Sequence, residues 1–188
     1  MSLLRVEDTH FPKNSYFKIG EEILDLKQPR IMGILNVSED SFYAPSRKTE
    51  EQQILETAGK MISDGADILD IGGYSTRPGA VHIDETVEMN RVKAAVALLR
   101  KEFPDTIISV DTFRGTVAKA AIEEGANLIN DISGLRFDPS LKAVIAHYRL
   151  PYILMHSRGN VETMHDAYHY DHIVRDVIST LATSVQEL

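Results

Sequence analysis

The chain has 188 residues, a formal net charge of −8, 43% apolar and 26% charged residues, and no cysteine. At about 150 residues per domain this describes one globular domain with its own core, not a disordered chain. Disulfides, thiol catalysis, zinc ribbons and iron–sulfur clusters are excluded, and the acidic balance argues against a nucleic-acid surface built on clustered Lys and Arg. The longest apolar stretch, 94–99, falls far short of a membrane span, and residues 1–8 lack the apolar region of a secretory signal. A cytoplasmic location without membrane or nucleic-acid partners is the expectation.

An introduction over 1–29 holds two short strand patterns, 16–19 and 23–26, about a turn at Gly20. From residue 30 to 188 strand and helix patterns alternate. Residues 31–35 are a continuous apolar run, as in a strand buried on both faces. A helix over 49–64 places Ile54, Leu55, Ala58, Met61 and Ile62 on one stripe and ends at Gly65. Strands at 68–71, 107–110, 128–132 and 152–155 then alternate with helices at 84–102, 114–124, 139–147 and 171–188. Along 84–102, Glu85, Glu88, Arg91 and Lys101 read as a solvated face. The last helix carries Ile173, Val174, Val177, Ile178, Leu181 and Val185 on one face. The segments 64–70 and 124–130 echo one another, joining a helix end to a strand start.

Such alternation predicts a parallel sheet. Polar or glycine-bearing strand exits at Asn36, Gly72, Asp111, Asp131 and His156 recur about every 30 residues. That gives about five strand–helix units where a closed barrel has eight. Either the sheet is open and five-stranded, or about three units are missing.

In parallel α/β folds reactive groups collect at the carboxyl ends of strands. Asn36, Asp111, Asn130, Asp131 and His156 all fall there, so a common site is the better reading than independent structural bonds. A long polar excursion follows Asn36. Between 72 and 80, glycines, Ser75, Thr76 and Arg77 are the ingredients of an oxyanion or phosphate cradle, or of a flexible connector. The loop lacks the Walker lysine and the dinucleotide glycine spacing. Asp70, inside a strand, reads as an internal structural pairing. His165, His169 and His172 have metal-like spacing, but interleaved Asp166 and Asp171 and a missing helix start argue against a metal site.

The motif Ile31-Met32-Gly33-Ile34-Leu35-Asn36-Val37, followed by Asp40-Ser41-Phe42, resembles the opening signature of the dihydropteroate synthases. Asp70-Ile71-Gly72-Gly73-Tyr74-Ser75-Thr76-Arg77-Pro78-Gly79-Ala80 is similar to their second. Ser109-Val110-Asp111-Thr112-Phe113-Arg114, Ile129-Asn130-Asp131-Ile132-Ser133-Gly134 and Ile153-Leu154-Met155-His156 continue the series in family order, and the match spans 16–188. The resemblance implies a (β/α)8 TIM barrel, of which about the first five units are present here after an N-terminal β-hairpin. It implies condensation of 6-hydroxymethyl-7,8-dihydropterin pyrophosphate with para-aminobenzoate in folate biosynthesis, with Mg2+ bound and sulfonamides as inhibitors.

Carried over, Asp111, Asn130 and Met155 contact the pterin, and Thr76, Ser75 and Asn36 the pyrophosphate. Asn36 ligates magnesium, Phe42 and Pro78 flank the para-aminobenzoate, and Asp111, Asp40 and Arg77 are catalytic. An ionised Asp accepts two hydrogen bonds and an Asn amide both gives and accepts, which suits an amino-pyrimidinone edge. The two loops are expected to close over the site. A homodimer is implied, and fusion to a pyrophosphokinase stays open. The family's later Asp–Pro–Gly loop, Ser–Arg–Lys lysine and Arg–x–His clamp do not occur in this sequence. A chain of this length is therefore expected to lack part of the pocket and to be inactive alone. A pterin-binding methyltransferase-type domain and a shortened, non-catalytic pterin-binding or partner subunit remain as alternatives.

Overall fold

Short apolar runs make the sheet, and four of the five close on a polar or glycine residue. In the computed structural model, residues 15–20, 22–37, 47–74, 83–160, 163–164 and 166–188 are described. A hairpin of β1 (Tyr16–Ile19) and β2 (Glu22–Asp25) pairs antiparallel about Gly20, whose φ of +58° suits glycine. Five parallel strands follow: β3 (Met32–Asn36), β4 (Ile68–Gly72), β5 (Ile107–Asp111), β6 (Leu128–Asp131) and β7 (Tyr152–Leu154). Between and after them come α1 (Arg47–Ser63), α2 (Glu85–Glu102), α3 (Gly115–Glu123), α4 (Pro139–Tyr148) and α5 (Ile173–Glu187).

Strand order is sequential, β3-β4-β5-β6-β7. A doubly wound sheet reverses direction at a switch point; this sheet never does, so it is the wall of a barrel. The two faces divide by the strand period of two. Leu69, Ile71, Ile108, Val110 and Ile129 pack with Val92, Val96, Leu99, Val117 and Ala121 in the helix-side core. On the other face Ile68, Ile107 and Leu128, at the strand starts, pack with Ile19 and the partly buried Phe17 and Leu24 of the hairpin. Each such buried aliphatic side chain contributes about 1.5–3 kcal/mol. The hairpin thus covers the amino-terminal end of the inner face and leaves the carboxyl-terminal end polar.

The sequence echo has a structural cause. Gly65 and Gly125 both end a helix at φ +105°. Two residues later, Asp67 Oδ2 accepts from the backbone N–H of Ile31 and Asn127 Oδ1 from that of Ile108, each at 2.8 Å. The Asp67 and Asn127 N–H groups donate back to the same residues' carbonyls, also at 2.8 Å. Each corner is thereby locked to the strand beside it. The Ile31 N–H and then Arg30 hold the Asp67 carboxyl below the usual carboxylate range.

Two expectations need correction, and one apolar helix face lies open. Ile31 and Ile34 are exposed, Ile34 by 64%, because β3 is an edge strand and Ile34 points away from the helices. Only Leu35 of that run is buried among its large side chains. On α5, Ile173, Val174, Ile178 and Val185 are exposed, because the described residues place no covering element over that face. Glu85 and Lys101 lie on the solvated face, but Glu88 and Arg91 are buried, Glu88 with 0% exposure. Position 88 lies four residues before Val92, on the inward stripe, and there it meets partners from the exit of β5.

Thr112 Oγ1 donates to Glu88 Oε1 at 2.8 Å and Arg114 Nη1 to Oε2 at 2.7 Å. Arg114 Nη2 also donates to the Ile83 carbonyl at 3.1 Å. Desolvation raises the Glu88 carboxyl above its ordinary value against the pull of Thr112 and Arg114. Removing one partner from a buried pair leaves an uncompensated charge. Glu88→Ala is therefore expected to lower unfolding stability by about 3–5 kcal/mol in urea titrations, with Glu88→Met/Arg114→Met losing less. A loss below about 1 kcal/mol for the single variant would contradict a stabilising role for this pair.

Candidate active site at the strand ends

Parallel register assembles the site. Asn36 pairs with Gly72, Gly72 with Asp111, Asp111 with Asn130 and Asn130 with Ile153, forming one row across the five strands. Two residues nearer the strand starts, Asp70 pairs with Ser109 on the same face. The inner face thus carries Asn36, Asp70, Ser109, Asp111 and Asn130 above an apolar floor.

Asn130 Nδ2 donates to Asp70 Oδ2 at 3.0 Å, reaching from β6 across β5 to β4. Ser109 on β5 is fully buried beneath that span, and a small side chain there leaves the crossing clear. Asp70 Oδ1 and Ser109 Oγ are buried without a hydrogen-bond partner among the described residues. Burial, then the negative charges of Asp70, Glu88 and Asp131, pushes Asp111 up to about 7. A carboxyl poised between its two forms near neutral pH, in a row of polar side chains, is a recognised mark of a functional site.

The adjacent Asp131 faces the other way. Its oxygens accept from the Ser133 N–H, the Leu135 N–H, the Ser133 hydroxyl and the Tyr152 hydroxyl. This ties down the turn after β6. Of the two polar residues ending that strand, Asn130 belongs to the row and Asp131 to the scaffold. Met155 is exposed just beyond β7, two residues past the inward Ile153. Asn36 ends β3 with its side chain exposed, and its Oδ1 lies 3.2 Å from where a Cβ on Gly72 would stand. Glycine at 72 leaves that oxygen its space.

The row brings together Asn36, Asp111 and Asn130, with Met155 at its far end. Asp40, Phe42, Ser75, Thr76, Arg77 and Pro78 lie outside the described residues. The stems of their loops are in place: the Val37 N–H donates to the Gly72 carbonyl at 2.9 Å, and Tyr74 meets Phe113 edge-on at 5.7 Å. His156 Nε2 is 3.3 Å from the Tyr170 hydroxyl, and the Arg158 guanidinium lies 4.0 Å from that ring's centre. His169 contacts Asp171, His172 precedes α5, and His165 lies outside the described residues.

The internal structural pairing expected of Asp70 is present, and its partner is Asn130, a member of the polar row. Ser109 was missed as a site residue. The available signal was the interruption of two otherwise apolar strands, 68–71 and 107–110, by a polar residue in matching register.

Residues 32–188 match the sequence profile of the family described as "Pterin binding enzyme". The chain is 39% identical over 160 residues to the dihydropteroate synthase of Synechocystis, covering 85% of this chain and 55% of that protein. A Yersinia pestis dihydropteroate synthase solved as a sulfonamide drug complex superposes with a TM-score of 0.80 at 37% identity, covering 91% of this chain and 61% of that one. A Xanthomonas albilineans dihydropteroate synthase with 4-aminobenzoic acid gives 0.76 at 35%, covering 92% and 60%. The chain spans between 21% and 60% of the length of the curated relatives it matches.

The raised Asp111 carboxyl has a consequence for stability. Its folded pKa lies above its unfolded value of 3.8, so its stabilising contribution is complete below that value and is lost as pH rises through about 7. Asp111→Asn removes the penalty of charging a buried group. Allowing for partial exposure, it is expected to raise Tm at pH 8.5 by about 3–6 °C, and to change it little at pH 4.5. Equal effects at both pH values would contradict the shift.

Proposed function

The chain belongs to the pterin binding enzyme family, and on that footing we propose that it carries the pterin-binding part of a dihydropteroate synthase. That enzyme joins 6-hydroxymethyl-7,8-dihydropterin pyrophosphate to para-aminobenzoate and releases pyrophosphate. The observation that carries the reading is the Asp111–Asn130 row on the inner face, with Asp70 beneath it. An amino-pyrimidinone edge presents adjacent N–H donors, and this row meets them with carboxylate and amide oxygens. Met155 adds a soft apolar wall for the ring.

The chemistry follows from charge. The C–O bond to pyrophosphate breaks with its electron pair, leaving positive charge on the pterin. The aminobenzoate nitrogen then attacks the exposed methylene and loses a proton. Asp111, ionised, favours the developing cation from within a low-dielectric face. By resemblance, Ser75 and Thr76 hold the pyrophosphate, Asp40 and Arg77 take part in the chemistry, and Phe42 and Pro78 flank the aminobenzoate. These six lie outside the described residues.

Asn36 offers one exposed neutral oxygen, and among the described residues no cluster of three or more His, Asp or Glu is arranged to hold a metal. That donor set suits a hard cation that brings phosphate oxygens and water with it. Magnesium held at Asn36 would supply neutralisation of the leaving pyrophosphate. A homodimer and a cytoplasmic location complete the proposal; both rest on the resemblance and the cysteine-free sequence. No described helix is long and apolar enough to cross a membrane.

The test is pyrophosphate release from the pterin substrate with magnesium present, with and without para-aminobenzoate. Release that requires the aminobenzoate would establish synthase turnover and overturn the expectation that a chain of this length is inactive alone; pterin binding without release is what that expectation predicts, and failure to bind the pterin would contradict the reading. Pteroic acid affinity, followed by fluorescence quenching, is expected to drop about tenfold or more in Asp111→Asn and Asn130→Ala. In the parent chain it should weaken as pH falls below about 7, where Asp111 takes up a proton.

A further inference from the structure

The Asn130 amide has two ends of nearly equal shape and opposite chemistry: the oxygen accepts and the NH2 donates. Rotation by half a turn exchanges them, so the polarity Asn130 shows a ligand depends on what fixes that rotation. Asp70 fixes it. A carboxylate only accepts, and Asn130 Nδ2 is committed to Asp70 Oδ2 at 3.0 Å. Asn130 is half-buried, and its side-chain oxygen is not among the buried polar atoms left without a partner.

Asp70 is not built like a carboxylate kept for scaffold duty. Asp131, one residue from Asn130, is also buried but takes four donors shared over its two oxygens. Asp70, 4% exposed, has Asn130 on Oδ2, while its Oδ1 is unpartnered among the described residues. Burying a carboxylate with so few partners is costly, and a role beyond the scaffold accounts for keeping it. The bond also bridges three strands over Ser109, so it depends on the register of the whole sheet.

We propose that Asp70 is a positioning residue that sets the hydrogen-bonding polarity of the pocket. By holding the Asn130 NH2, it turns the amide oxygen to the ligand beside the Asp111 carboxylate. The resulting edge is rich in acceptors and selects a heterocycle presenting adjacent N–H donors over an isostere with an oxygen in the same place. This inference rests on the reading of the row as a pterin site, and it names the feature of the ring that is read: the 2-amino group.

The experiment compares 6-hydroxymethylpterin with 6-hydroxymethyllumazine, which differ by amine against oxygen at position 2. The parent chain is expected to prefer the pterin by at least about tenfold. In Asp70→Asn the side chain at 70 can either give or accept, so the Asn130 amide can rotate. The preference should then fall below about threefold, and the exchanged pair Asp70→Asn/Asn130→Asp should restore it. A purely structural Asp70 would weaken both rings equally and keep the preference, which would overturn the proposal. The Asn130 side-chain NH2 resonances, followed by NMR in the free chain, read the bond directly. They are expected to move in Asp70→Asn, and signals left unmoved overturn the proposal whether or not either ring binds. Failure of the parent chain to bind either ring would count instead against the pterin reading. Asp111 provides a further readout, since the charges about it are Asp70 on β4, Glu88 on α2 and Asp131 on β6. Its carboxyl titration should move to lower pH when Asp70 is neutralised.

Discussion

The hydrogen bond from Asn130 to Asp70 is the constraint on which the rest of the site depends. It joins side chains 60 positions apart in sequence and spans the strand between them. It forms only if β4, β5 and β6 are in their observed register, because a slip of one residue would send Asp70, Asp111 and Asn130 to the helix side. The helix-side core resists such a slip. Leu69, Ile71, Val110 and Ile129 would have to exchange places with the polar row. Packing on one face thus fixes chemistry on the other.

That division explains where the structure tolerates charge. The starts of the inner-face strands are apolar and covered by the β-hairpin, whereas their ends hold acidic and amide groups that run from the buried Asp70 to the exposed Asn36. On the helix side the buried charge of Glu88 is met by Arg114 and Thr112. This pair also ties the start of α2 to the segment after β5. The Arg114 guanidinium lies 5.3 Å from the centre of the Tyr74 ring and donates to the Ile83 carbonyl. One buried cation therefore contacts both flanks of the loop between β4 and α2, and through Thr112 its partner Glu88 reaches the residue next to Asp111.

Much of this was legible because period and punctuation are local. Apolar runs ending at Asn36, Gly72 and Asp111 announced the strands and the end that carries polar groups. Gly65 and Gly125 marked helix ends that the structure places at φ +105°. What sequence could not supply was the facing partner. Glu88 has the composition of a solvated helix position, and only the arrival of Arg114 and Thr112 makes its burial tolerable. Ile34 belongs to an apolar run, but its neighbour on one side is absent from an edge strand. Asp70 reads as paired from sequence; that its partner sits in the polar row depends on a three-strand register no local pattern encodes. On α5 the apolar stripe was correctly grouped, whereas its exposure is a fact of tertiary arrangement.

The central claim is that the row at the strand ends recognises a pterin ring by its donor edge. A crystal structure of the chain with 7,8-dihydropteroate tests it most directly. The account predicts the 2-amino group and the neighbouring ring N–H within about 2.7–3.2 Å of Asp111 and of the Asn130 oxygen, with the Asn130 NH2 still on Asp70. A ring seated away from this row, or seated with an acceptor edge against it, would contradict the account.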